Sequence, residues 1–189
     1  MENEKSIRNP VNTPFEQCSK GQEKKVKILF VCHGNICRSP MAEFVLKDMT
    51  EKLGISDRFH IESRATSTEE IWGGVGNPVY PPARDELKRR GIGKTPYTDF
   101  TKKRAQQLKR SEYDEYDFLI GMDSMNMRNI ERMTGHERGD GKIWKLLEFC
   151  GSDKDVSDPW YTGRFSEVFD ECVMGCEGLL TYLKERKIL

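Results

Sequence analysis

Two kinds of apolar pattern alternate along this chain, and their alternation predicts its architecture. Val26, Ile28, Leu29, Phe30 and Val31 form a short, nearly continuous apolar run, the pattern of a strand covered on both faces. After a break at residues 33–38, Ser39 and Pro40 supply a helix start, and Met41, Val45, Met49 and Leu53 recur every four residues until Gly54. Residues 60–65 read as a second strand and 82–90 as a helix ended by Gly91. Residues 118–122 form a third strand, 124–133 the helix after it, and 142–147 a fourth strand. Val168, Cys172, Cys176, Leu179 and Leu183 then share one face of a final helix of about four turns. Strands alternating with helices imply parallel pairing and right-handed crossovers. The expected class is therefore α/β, a doubly wound, four-stranded parallel sheet flanked by helices. Ligands on such sheets sit beyond the carboxyl ends of the strands.

The segment before the first strand follows neither pattern. Residues 1–24 hold four basic and four acidic side chains, two prolines and almost no periodic apolar residues, so a flexible arm is expected there and a single folded domain over 25–189. Neither the arm nor the rest contains the roughly 18-residue apolar run of a membrane span, and the arm lacks the apolar core of a secretory signal. Lys plus Arg number 31 and Asp plus Glu 31, so no global field attracts a polyanion and nucleic acid is not an expected partner. The six cysteines, at 18, 32, 37, 150, 172 and 176, lack the dense spacing of disulfide scaffolds. A reducing, cytoplasmic compartment follows, in which each thiol is a nucleophile, a ligand or a small core residue.

The turn between the first strand and helix reads Cys32-His33-Gly34-Asn35-Ile36-Cys37-Arg38-Ser39-Pro40, at the place where this architecture puts an anion site. A loop bent around a tetrahedral oxyanion points several N–H groups inward, and Gly34 and Asn35 are types that tolerate the required backbone angles. Those amides and the helix dipole would favour the thiolate of Cys32, so that nucleophile and anion cradle coincide. Arg38 can return over the loop as a planar two-point clamp on phosphate oxygens, and Ser39 can donate to the sulfur. The ending Gly-Lys-Ser/Thr of a Walker loop is absent, and Gly74-Val75-Gly76 lacks the third glycine of a dinucleotide fingerprint. An isolated cysteine at a strand end is usually a buried core residue; Arg38 and Ser39 in this context outweigh that reading.

From Cys32 to Pro40 the chain resembles the low-molecular-weight protein tyrosine phosphatases, whose signature is Cys-x-Gly-Asn-x-Cys-Arg-Ser-Pro, and the resemblance extends from about Lys25 to the C-terminus. It implies the phosphotyrosine protein phosphatase I-like fold, with Cys32 attacking phosphorus, Arg38 binding the phosphoryl oxygens, and Asn35 and Ser39 organising loop and thiolate. His33, Gly34, Ile36 and Cys37 complete the phosphate-binding loop.

Transfer of a phosphoryl group to a thiolate leaves an alkoxide, so a proton donor must face the cradle. Asp158-Pro159-Trp160-Tyr161 is the candidate, with proline stiffening the turn, Gly151 and Gly163 bracketing the loop, and Trp160 and Tyr161 walling a groove for a substrate ring. An ordinary Asp-Pro turn is the plain alternative; the resemblance puts the general acid at Asp158. Asp123 resembles a family aspartate that props the active-site loop, and helix capping accounts for it equally well. Cys37, in the same loop as Cys32, could trap an oxidised Cys32 as a disulfide or simply pack beneath the loop. Cys172 and Cys176 have a spacing that could ligate metal, yet no histidine accompanies them and packing is the better account, so no metal and no cofactor is assigned.

Three features depart from the family. Residues 68–78 look longer than the usual specificity loop, Arg64 replaces a small residue, and Lys103 stands where many members have a loop-supporting histidine. Between Arg84 and Arg110 ten basic and three acidic residues form either a solvated helical face or a docking surface for acidic phosphoproteins. The expected function is hydrolysis of phosphotyrosine, in proteins or as small aryl phosphates, by a monomer that releases inorganic phosphate. Arsenate reductases share the fold but need further redox cysteines, whereas Cys150 is isolated. Protein arginine phosphatases carry a threonine where this loop has Ile36. A non-catalytic phosphate-binding module would need neither Cys32 nor Asp158.

Overall fold

A computed structural model describes residues 24–139 and 141–189, so the arm expected over residues 1–24 lies, except for Lys24, outside the described residues. The first apolar run forms β1 (Val26–Cys32), buried everywhere but at Lys27. Successive strand side chains point to opposite faces, which explains why the run is continuous. Ile28, Phe30 and Cys32 join one core with α1 (Arg38–Lys52) and α6 (Phe165–Glu185), while Leu29 and Val31 join a second with Leu119, Met127 and Ile130.

β1 is central. It pairs in parallel with β2 (Phe59–Ala65), from Val26 opposite Phe59 to Cys32 opposite Ala65, and on its other side with β5 (Phe118–Gly121). β5 in turn pairs in parallel with β6 (Ile143–Lys145), giving the strand order β2-β1-β5-β6 and the four-stranded parallel sheet the sequence predicts. Between β2 and β5 lie the short antiparallel β3 (Ile71–Trp72) and β4 (Val75–Gly76), then α2 (Pro81–Arg89) and α3 (Glu112–Glu115). α4 (Ser124–Thr134) follows β5, and the turn α5 (Pro159–Thr162) precedes α6. No described helix is long and apolar enough to cross a membrane.

The structure corrects two boundaries. The fourth strand stops at Lys145 rather than 147, because residues 146–150 form a 3₁₀ turn tucked under α6. α6 comes so close there that a Cβ on Gly175 would lie 2.4 Å from Leu146 Cγ, and one on Gly178 would lie 2.5 Å from the Phe149 carbonyl oxygen. Leu53, expected on the buried face of the first helix, is exposed, since α1 ends at Lys52 and Leu53 is already its C-cap. The final helix matches its pattern: Val168, Cys172, Cys176, Leu179 and Leu183 are all fully buried.

Candidate active site

β1 ends at Cys32 and α1 begins at Arg38, so residues 33–37 must turn the chain within that gap. Asn35 takes the left-handed conformation at φ 57°, which asparagine adopts more readily than most residues. Gly34, expected to share that task, has no positive φ; it is small because a Cβ there would lie 3.0 Å from Glu70 Cγ. The turn brings Asn35 N to 3.3 Å from Cys32 Sγ, and Ser39 Oγ stands 3.0 Å from the same sulfur.

Groups behind the loop fix Ser39 as an acceptor from Asn35. Ser63 Oγ donates to Glu43 Oε2 at 2.6 Å, so it accepts from Asn35 Nδ2 at 2.8 Å. Gln106 N donates to Asn35 Oδ1 at 3.1 Å and so fixes the amide's orientation. The second amide proton of Asn35 goes to Ser39 Oγ at 2.9 Å, so Ser39 keeps its own proton to donate, with the Cys32 sulfur at 3.0 Å and the Arg64 carbonyl at 3.4 Å within its reach. Burial opposes the charge of Glu43, but Lys103, Lys47 and the hydrogen bonds from Lys47 and Ser63 outweigh it and hold the carboxyl below its usual range. Lys103 Nζ lies 2.9 Å from Glu43 Oε2 and donates to the Ser63 carbonyl at 3.0 Å. Arg64 donates to that same carbonyl at 2.9 Å while pairing with Glu112 at 2.8 Å and Glu62 at 2.7 Å. Both departures at 64 and 103 therefore brace the strand beneath the loop.

Arg38 lines the same cavity as Cys32, between two carboxylates. Its side chain is 5% exposed, with Nη1 2.5 Å from Asp123 Oδ2 and Nη2 2.6 Å from Asp158 Oδ2. Burial opposes the guanidinium charge, but Cys32, Asp158 and Asp123 outweigh it and raise its affinity for the proton. Besides pairing with Arg38, Asp123 accepts from Asn126 N at 2.6 Å through Oδ1 as the N-cap of α4. Asp158 caps α5 in the same way, accepting from Trp160 N at 3.0 Å.

These elements enclose a cavity of about 180 Å³ lined by the loop from Cys32 to Arg38, apart from Asn35, and by Asp158, Trp160 and Tyr161. Its volume is below the roughly 300–1,000 Å³ of pockets that enclose a whole small molecule, so it suits a headgroup. Asn35 and Ser39, grouped with the binding residues on sequence grounds, do not line it; their side chains are buried behind the loop and support it. Trp160 and Tyr161 are exposed at the rim, with the Trp160 ring 5.2 Å from that of Tyr80. Burial, reinforced by Cys32 and Asp158, pushes the Cys37 thiol well up.

Two further residues line the cavity, Glu69 and Glu70, which lie in the 68–78 stretch expected to be the specificity loop but carry no signal that singles them out within it. They precede the β3–β4 hairpin, whose signal was present as Gly73-Gly74 between Ile71-Trp72 and Val75; both glycines have positive φ, at 56° and 80°. The remaining candidates stand elsewhere. Cys172 and Cys176 face the first turns of α1, their sulfurs 4.0 Å from the Arg38 carbonyl and 3.7 Å from that of Ala42, which is packing. Among the described residues no group of three or more His, Cys, Asp or Glu side chains could hold a metal ion. The basic stretch is partly consumed within the fold: Arg89 and Arg90 pair with Glu86, and Arg90 also with Asp170.

Residues 27–188 match the family model described as low molecular weight phosphotyrosine protein phosphatase. The chain belongs to this family. As a member it is an enzyme, a hydrolase of phosphoric monoesters. It is 34% identical over 166 residues to the low molecular weight protein-tyrosine-phosphatase YfkJ of Bacillus subtilis, covering 87% of this chain and 99% of that one. Against the Schizosaccharomyces pombe low molecular weight phosphotyrosine protein phosphatase it is 39% identical over 152 residues, 79% of this chain and 88% of the relative. The crystal structure of YfkJ superposes with a TM-score of 0.77 over 88% of this chain and 99% of that chain. A Drosophila arginine phosphatase structure, 26% identical, superposes at 0.71 over 84% of this chain and 98% of its own.

Proposed function

We propose that this phosphatase hydrolyses phosphotyrosine, in proteins or as small aryl phosphates, through a phosphocysteine intermediate carried by the folded domain over residues 25–189. The Cys32 thiolate attacks phosphorus, a P–S bond forms, and the P–O bond to the aryl group breaks. Asp158 gives its proton to the departing phenoxide. As a carboxylate it then takes a proton from water, whose oxygen attacks phosphorus and breaks the P–S bond, releasing inorganic phosphate and restoring the thiolate. Arg38 grips two phosphoryl oxygens throughout and offsets charge as it spreads onto them. Ser39 and Asn35 N donate toward the sulfur and so favour it as thiolate and as leaving group.

The observation that carries this reading is the convergence on one cavity of a sulfur hydrogen-bonded by Ser39 and Asn35, a buried arginine, and a carboxylate 2.6 Å from that arginine. A module that only bound phosphate would require neither the thiol nor the acid. Ile36, buried in a small apolar cluster with Cys37 and Ala105, presents an apolar wall and favours an aryl over a guanidino phosphate. Rapid mixing with p-nitrophenyl phosphate tests the proposal. A burst of nitrophenol stoichiometric with enzyme supports it, and parallel trials with phosphoarginine and arsenate should give little turnover.

A further inference from the structure

The segment that carries Asp158 has no regular structure to hold it. Residues 152–158 lie in no helix or strand, yet a misplacement of about 1 Å in a reacting group can cost about a hundredfold in rate. Tethers on the three residues before Asp158 supply the missing support. Ser157 donates to Glu171 of α6 twice, from its backbone N–H at 2.9 Å and from Oγ at 3.2 Å. Val156 is buried; its N–H donates to the Met122 carbonyl at 2.8 Å, and its carbonyl accepts from Arg38 Nη1 at 3.5 Å. Asp155 Oδ1 accepts from Ser124 N at 3.1 Å, from Ser124 Oγ at 3.0 Å and from Lys145 Nζ at 2.9 Å.

Lys145 differs from the other partners in what the departure of the segment would leave behind. It is the last residue of β6, and its side chain is 8% exposed, whereas that of Asp155 is 47% exposed. Its ammonium donates to Asp155 Oδ1 and to the Asp153 carbonyl, both of them in the segment, and Asp155 is its one ion-pair partner among the described residues. A buried ammonium stripped of its acceptors is costly, so lifting the segment from the end of β6 is opposed by the charge it would strand. Ser124, the other partner of Asp155, directly follows Asp123, which holds Arg38 from the opposite side to Asp158. The same carboxylate thus ties the acid's segment to the start of α4 and to the end of β6. We infer that Lys145, which neither lines the cavity nor touches the reacting groups, is a positioning residue that keeps Asp158 in place by gripping its segment at Asp153 and Asp155. This rests on the general-acid role proposed for Asp158.

Leaving-group dependence tests it, because only a poor leaving group needs the acid. kcat/KM, which reports transfer to Cys32, is measured with phenyl phosphate and p-nitrophenyl phosphate for the wild type, Lys145→Met, Asp155→Ala, Asp158→Asn and Lys145→Met combined with Asp158→Asn. Methionine keeps most of the length of lysine without its charge. Lys145→Met and Asp155→Ala should each lower the phenyl phosphate value by about ten- to hundredfold and the p-nitrophenyl phosphate value by at most about threefold. In the Asp158→Asn background Lys145→Met should change the phenyl phosphate value by less than about twofold, since no acid remains to be misplaced. Equal losses for the two esters, no loss in either single variant, or an undiminished loss in the Asp158→Asn background overturns the inference. Asp155 is an exposed site, so Asp155→Ala decides the matter if Lys145→Met does not fold. Asp158→Asn separates the two failures. A selective loss for phenyl phosphate there without one in Lys145→Met or Asp155→Ala removes only this inference, whereas no selective loss in Asp158→Asn removes the general-acid reading and this inference with it.

Discussion

Replacing Asp158 with asparagine should change catalysis and anion binding in opposite directions. The carboxylate stands 2.6 Å from Arg38 Nη2, where it occupies part of the clamp that a phosphoryl group needs. Phosphate binding must therefore displace it. A hydrogen bond to a charged group contributes about 1.5–3 kcal/mol, and the partial exposure of Asp158 reduces that to about 1–1.5 kcal/mol here. Asparagine lacks the charge, so inorganic phosphate or vanadate should bind about five- to tenfold more tightly. Turnover should move the other way. A positioned general acid contributes about two to four orders of magnitude, roughly 3–5 kcal/mol, and only for leaving groups that need protonation. Asparagine also serves well as an N-cap, so α5 should keep its start and the fold its stability. Calorimetric titration with phosphate gives the first quantity; kcat for phenyl phosphate and p-nitrophenyl phosphate gives the second. An equal loss for both esters would refute the acid role, and unchanged or weaker phosphate binding would refute the competition for Arg38.

Three other perturbations probe the loop and its support. Glu43→Gln should destabilise the fold by about 3–5 kcal/mol at neutral pH, because it leaves two lysines facing a neutral group in a buried site. Since the Glu43 carboxyl is held below its ordinary value of 4.5, its contribution is present above that pH and lost as pH falls through the folded-state value. Urea titrations should accordingly show the wild type losing more stability than the variant below about pH 4.5, and parallel losses would contradict the linkage. Ile36→Thr should shift the ratio of kcat/KM values toward phosphoarginine, and an unchanged ratio would remove the argument from that apolar wall. Peroxide should convert Cys32 to a sulfenic acid that the Cys37 thiol condenses with, releasing water and forming a disulfide that dithiothreitol reduces. Activity should then recover in the wild type but poorly in Cys37→Ser, and equal recovery would show that Cys37 gives no protection.

What the sequence reveals and what it conceals divide along the range of the interactions. β1 was legible because burial on both faces leaves a continuous apolar run, and α6 because one fully buried stripe repeats along it. Cys32, Arg38 and Ser39 were legible because a strand-to-helix turn confines them to a few residues. The supports beneath them were not. Ser63, Glu43 and Lys103 come from β2, α1 and the segment before β5, and only the folded sheet brings them to Asn35. The fourth strand is shorter than its apolar pattern predicts because Leu146 and Leu147 are as apolar as strand residues but lie in a 3₁₀ turn that α6 approaches closely at Gly175. Glu69 and Glu70 carried no catalytic signature, and their place on the cavity wall depends on a hairpin anchored to Ala105.

Trapping the covalent intermediate tests the central claim most directly. The enzyme is mixed with p-nitrophenyl phosphate, quenched within the burst, digested and analysed by mass spectrometry, with Cys32→Ser treated in parallel. One phosphoryl group should be found on the Cys32 sulfur of the wild type, and Cys32→Ser should bind phosphate yet turn over no substrate. A phosphoryl group on another residue, or turnover near the wild-type rate in Cys32→Ser, would contradict the account.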